Sequence, residues 1–172
     1  ATGEGLNGYD NPVGVLTNNP EFPKQLLNLS NYQSISPAYP ENTLIPEVKL
    51  STYSRGFGSR FVPGGMDSES RFVKEVFTKA HAPKGKSEIE NITDYFHNLH
   101  AVEQQKGLDQ VAPGQFEYTI YSDGINLTTG TFYYSTYDNN QINAVKLEED
   151  KLDQTELLQH PLQSKQTINF QN

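Results

Sequence analysis

The chain has 172 residues, a mass of 19.3 kDa and a formal net charge of -8, a length suited to one core rather than two. Leu, Ile, Val and Phe number 41 of 172, above the ~20% level below which disorder is the default, so the chain folds, though around a thin core. The acidic balance excludes nucleic acid and anionic membrane surfaces as partners, and the absence of cysteine excludes disulfides, thiolate zinc sites and a thiol nucleophile carried by this sequence.

In chain order, the first ten residues are rich in glycine and polar groups and read as a frayed or edge segment. Residues 13–17, bounded by Pro12 and Asn18-Asn19-Pro20, predict a buried strand running into a loop. Phe22, Leu26 and Leu29 recur at helical spacing within residues 21–32, an amphipathic helix. Pro37, Pro40 and Pro46 make residues 34–51 a loop. Residues 55–65 hold Gly56, Gly58, Gly64 and Gly65, an irregular loop whose backbone must pass close to something.

A helix opens near Asp67-Ser68, with Phe72, Val73, Val76, Phe77 and Ala80 on one face and Pro83 closing it. Ser87-Glu88-Ile89-Glu90 is a capping-box pattern. It starts a helix with a stripe of Ile89, Ile92, Phe96 and Leu99, and Gly107 marks its end. The period then changes. Residues 116–121, 131–137 and 141–147 predict three strands of an antiparallel meander, with turns at 123–126 with 128–130 and at 138–140. Residues 148–153 read as a charged turn or short helix start, and residues 166–170 as a further strand. Helices followed by an antiparallel sheet define an α+β class.

Most local patterns carry no chemistry. His97 and His100 are three apart on a helix, but no acidic residue stands at a spacing to complete three or four ligands, so no metal is expected. No phosphate-binding loop or nucleophile elbow occurs. Two positions remain. Asn18 lies where the first predicted strand ends, and its amide donates to a developing oxyanion, caps the helix that follows or makes an Asx turn. Arg71 sits in the first turn of a helix, where a cation opposes the macrodipole. It serves a ligand or carboxylate, or forms a surface ion pair with Glu69 or Glu75.

Larger blocks resemble one family. Asp10-Asn11-Pro12-Val13-Gly14-Val15-Leu16-Thr17-Asn18-Asn19-Pro20 resembles a signature of the choloylglycine hydrolases, the family of bile salt hydrolases and penicillin V acylases. Pro63-Gly64-Gly65-Met66-Asp67-Ser68-Glu69-Ser70-Arg71-Phe72, Val102-Glu103-Gln104-Gln105-Lys106-Gly107-Leu108 and Thr136-Tyr137-Asp138-Asn139-Asn140-Gln141-Ile142-Asn143-Ala144-Val145 match in the same order. So do Tyr53-Ser54-Arg55-Gly56 and Tyr118-Thr119-Ile120-Tyr121-Ser122-Asp123. The blocks are most similar to bile salt hydrolases of lactobacilli and related gut bacteria.

The resemblance implies an N-terminal-nucleophile hydrolase with a four-layer αββα sandwich, of which residues 1–172 form the C-terminal portion of a single domain. The half carrying the catalytic cysteine would be absent, and this chain alone inactive. By resemblance, Asn18 matches the second oxyanion asparagine and Arg71 the arginine beside the nucleophile, where a guanidinium favours the thiolate. The implied substrates are conjugated bile salts, cleaved at the amide to glycine or taurine through an acyl-enzyme. The implied setting is the bacterial cytoplasm, as a homotetramer without metal or organic cofactor, with the N-terminal half of the same enzyme as partner. Gly65 replaces the aspartate of the commoner Leu-Pro-Gly-Asp loop, which leaves substrate preference open. A penicillin V acylase, a non-catalytic binding fragment, and trimming of Ala1 to expose Thr2 as nucleophile are the alternatives.

Overall fold

The computed structural model of the chain describes residues 8–147, 153 and 155–171. Thr2 and residues 148–152 lie outside these, so the trimming alternative and most of the charged turn fall outside the described residues; Asp153 is in a turn. Contacts divide the chain into two units, residues 1–102 and 103–172.

The first unit is helical. Helix α1 (Phe22–Leu29) admits Pro23 in its first turn, where an N–H has no intrahelical partner. It tightens into a 3-10 turn, Ser30–Tyr32, so the predicted 21–32 helix changes pitch over its last residues. Helix α2 (Ser68–His81) starts on Asp67, whose carboxylate accepts from Ser70 N at 2.9 Å. It ends where Ala82 turns extended ahead of Pro83. Helix α3 (Glu88–Ala101) starts on Ser87, whose Oγ accepts from Glu90 N at 3.2 Å. The expected reciprocal bond differs: Glu90 Oε2 reaches back to Lys86 N rather than Ser87 N. The helix also stops at Ala101, ahead of Gly107.

Val15, Phe22 and Phe72 form the core cluster, joined by Val13, Leu26, Leu29 and Val76. Phe22 and Phe72 meet edge to face at 6.2 Å, a geometry worth ~0.5–1.5 kcal/mol beyond area burial. Two stripe members fail. Ala80 and Ile89 are exposed, each at the helix end where the face turns away from the core.

The predicted strand at residues 13–17 is corrected. It pairs with no strand among the described residues. Its carbonyls are satisfied by side chains instead: Lys79 Nζ donates to Val13 O and Gly14 O at 2.8 and 2.9 Å, and Asn11 Nδ2 to Val15 O at 2.9 Å. Gly14 sits at φ 62°, in the left-handed region that breaks an extended run. Burial of Val15 is what survives of the prediction.

The second unit is β. Strands β1 (Asp109–Ala112) and β2 (Gln115–Glu117) form an antiparallel hairpin that the sequence reading omitted. Strands β3 (Tyr121–Asn126), β4 (Thr131–Thr136) and β5 (Asn139–Lys146) form an antiparallel meander in the order β3-β4-β5. Residues 116–121 thus split between β2 and β3. Residues 123–126, read as turn, lie in β3 paired with β4, Asp123 opposite Tyr134 and Asn126 opposite Thr131. The turn comes after them, where Asn126 Oδ1 accepts from Thr128 N (2.9 Å) and Thr129 N (3.3 Å). Asn139 and Asn140 likewise open β5, with Thr136 opposite Asn139.

Residues 166–170 add no strand. The preceding tail is held by side chains rather than a ladder: Asn139 Nδ2 donates to Gln163 O at 2.9 Å, and Gln163 N to Tyr134 Oη at 3.0 Å. The outcome is α+β, helices with antiparallel sheets, as the sequence implied.

Candidate active site

The loop from Thr17 to Pro20 lies against the start of α2. Thr17 Oγ1 donates to Ser68 O at 3.1 Å, and Asn19 N donates to Ser68 Oγ at 2.9 Å. These bonds place Asn18, an exposed residue, beside Arg71 one turn along the helix. Arg71 is half-buried. Its Nε donates to Met66 O at 2.9 Å and its Nη2 to Asn18 Oδ1 at 3.1 Å. Both candidate residues are therefore brought together, across 53 positions of sequence.

The pairing has a chemical consequence. A guanidinium only donates, so it selects the oxygen end of the Asn18 amide. The NH2 end then faces away from Arg71, and no acceptor among the described residues takes it. The arrangement can thus offer a neutral N–H donor fixed by a cation. Arg71 forms no ion pair with Glu69 or Glu75 among the described residues. Asn18 does not cap α1 either, whose N-cap is Glu21.

Sequence reasoning missed Gln25. It is wholly buried on α1, and its Nε2 donates to Thr17 Oγ1 at 2.8 Å and also to Asn19 O. The available signal was a polar residue three positions after Phe22 and four before Leu29, on the apolar face of the helix.

No three His, Asp or Glu side chains converge as a metal site among the described residues. His97 is exposed on α3, and the His100 ring packs on Phe96 at 6.0 Å. No helix among them is long and apolar enough to cross a membrane.

Elsewhere in the same unit, Glu75 borders a cleft of about 370 Å³ lined also by Val15, Lys79, Asp94, Tyr95 and Leu99. Burial raises its carboxyl from 4.5 to about 7, against the opposing pull of Lys79. Its Oε2 has no hydrogen-bond partner among the described residues. The folded state then holds an extra proton between those values, so the contribution of Glu75 to stability is fully present below 4.5 and is lost as pH rises through about 7. Glu75→Gln is expected to raise the thermal midpoint at pH 8 by more than at pH 5. A gain independent of pH would contradict this account of Glu75.

Comparison with known proteins then defines the class, the linear amide C–N hydrolases. A profile described as the choloylglycine hydrolase family of these enzymes matches residues 1–160. The chain belongs to the choloylglycine hydrolase family. It is 50% identical over 161 residues to a bile salt hydrolase/transferase of Lactiplantibacillus plantarum, covering 94% of this chain and 50% of the relative. A bile salt hydrolase/transferase of Bifidobacterium longum is 34% identical over 155 residues, 90% of this chain and 49% of the relative.

Among solved structures, a cysteine-to-alanine mutant of the conjugated bile acid hydrolase from Clostridium perfringens superposes with a TM-score of 0.83 at 28% identity. That match covers 96% of this chain and 50% of the other. The penicillin V acylase of Agrobacterium tumefaciens, at TM-score 0.57 and 19% identity, covers 80% of this chain and 36% of its own, and shares the fold. The chain spans about half the length of the curated relatives it matches.

Proposed function

We propose that this chain supplies the donor-and-guanidinium side of a bile salt hydrolase pocket. The cysteine nucleophile would come from further polypeptide, the N-terminal half of the same enzyme. The observation that carries the reading is the Arg71–Asn18 contact, which leaves the Asn18 Nδ2 hydrogens available for an acceptor. The family match and the 50% identical bile salt hydrolase/transferase support the substrate class.

In this mechanism a thiolate attacks the carbonyl carbon of the conjugate. The electron pair moves to the carbonyl oxygen, which accepts a hydrogen bond from Asn18 Nδ2. Collapse expels glycine or taurine as the amine, its nitrogen taking up the proton the thiol gave up, and water then cleaves the thioester to release the bile acid and restore the thiol. An amine arriving in place of water would give acyl transfer, the second activity in the names of these relatives. Arg71 orients the Asn18 amide and adds positive potential that favours the thiolate. The proposed enzyme is a cytoplasmic bacterial homotetramer that needs no cofactor.

Assembled with its cysteine-bearing half, the protein is expected to release taurine or glycine from conjugated bile salts, while the purified chain releases none. Taurodeoxycholate and penicillin V should be assayed side by side. Faster cleavage of penicillin V would assign a penicillin V acylase instead. Cleavage of neither by the assembled protein would leave a binding fragment, and hydrolysis by the single chain would overturn the shared-pocket scheme.

A further inference from the structure

We infer that Gln25 is a positioning residue for the Asn18 donor, gripping the chain on both sides of Asn18 with the two hydrogens of its side-chain amide. The inference rests on the reading of Asn18 as an oxyanion donor. Gln25 Nε2 donates to Thr17 Oγ1 at 2.8 Å and to the carbonyl oxygen of Asn19. A backbone carbonyl only accepts, so this contact fixes which end of the amide faces the loop.

The grip continues into α2. The Thr17 hydroxyl gives its one hydrogen to Ser68 O at 3.1 Å. Ser68 Oγ donates to Thr17 Oγ1 at 2.9 Å while accepting from Asn19 N at 2.9 Å. The residues before and after Asn18 are thus tied to α1 through Gln25 and to α2 through Ser68. Helix α2 also carries Arg71, which orients the Asn18 amide.

Gln25 is a poor core residue by itself. It is wholly buried, and its Oε1 has no hydrogen-bond partner among the described residues. Leaving a buried acceptor unpaired is unfavourable, and an apolar residue of the same volume avoids it. Its two bonds flank one residue, so the side chain is placed for the geometry of that residue. Donor geometry matters because a displacement of about 1 Å in a reacting constellation can cost ~10²-fold in rate.

The test uses the enzyme assembled with its cysteine-bearing half and the variants Gln25→Met, Thr17→Val and Asn18→Ala. Gln25→Met and Thr17→Val are each expected to lower kcat by about 10- to 100-fold with KM nearly constant. The thermal midpoint of Gln25→Met should change little, because the unpaired Oε1 is removed along with the two donated bonds. Combined with Asn18→Ala, neither change should lower kcat further, because each acts through a group already removed. Full kcat in Gln25→Met and Thr17→Val overturns the inference, as does a loss that multiplies with that of Asn18→Ala. A kcat that merely follows the thermal midpoint does so too. Should Gln25→Met not fold, Thr17→Val decides on the same criteria. If Asn18→Ala alone leaves kcat intact, the donor reading has failed and this inference falls with it.

Discussion

Asn18→Ala, introduced into the enzyme assembled with its cysteine-bearing half, should lower kcat on taurine and glycine conjugates by about 10²- to 10³-fold, the usual cost of losing one oxyanion donor. KM should change little, because the bond strengthens only as charge develops on the oxygen. Alanine also strips Arg71 of its partner, so Asn18→Asp is the necessary companion. A carboxylate at this position still accepts from Arg71 Nη2, which now reaches Asn18 Oδ1 at 3.1 Å, but it has no hydrogen to give. Both variants should therefore fall together. An aspartate variant that keeps near-normal kcat would mean that position 18 matters only as an anchor for the guanidinium.

Phe72→Ala should destabilise the chain by about 3–5 kcal/mol, as expected for truncating a buried aromatic ring. Phe72 has no solvent exposure, and its ring meets Phe22 at 6.2 Å. Domains of this size have ~5–15 kcal/mol in total, so much of the stability would go. Urea unfolding followed by far-ultraviolet circular dichroism measures the loss. A shift below about 1 kcal/mol would show that the ring is not the centre of this core. The change sits next to Arg71, so the same variant should blur the pocket before the chain unfolds. In the enzyme assembled with its cysteine-bearing half, loss of activity at urea concentrations below the unfolding midpoint would reveal it.

The helices were legible because their signals are local. Asp67 and Ser87 announce α2 and α3, and both side chains accept from the third residue of their helix. Pro83 ends α2 by forcing Ala82 out of helical geometry. The strands were harder, because pairing depends on partners distant in sequence. Asp123-Gly124-Ile125-Asn126 has turn composition, yet the ladder with β4 holds it extended. Residues 13–17 have strand composition, yet Lys79 and Asn11 take the carbonyls that a neighbour strand would have taken.

The site divides along the same line. Asn18 and Arg71 were singled out by position and by family resemblance, and the structure brings them into contact. Gln25 escaped notice. A hydrophobic stripe predicts which face of α1 is buried, but not that a polar side chain on that face bonds to a loop six to eight residues away.

Gly58 has a consequence for how this fold can vary. A methyl group there would stand 1.8 Å from Ala38 O, so the two backbones touch, and Ser36 N bonds to Gly58 O at 3.1 Å. The contact closes the proline-broken stretch into an arch anchored at its base. Closing such an arch costs only ~0.6 kcal/mol more for each doubling of its length. The arch is a cassette, open to lengthening or exchange by grafting between Ala38 and Gly58. Gly58 is the rivet that makes such exchange affordable, since any side chain there would run into the Ala38 carbonyl.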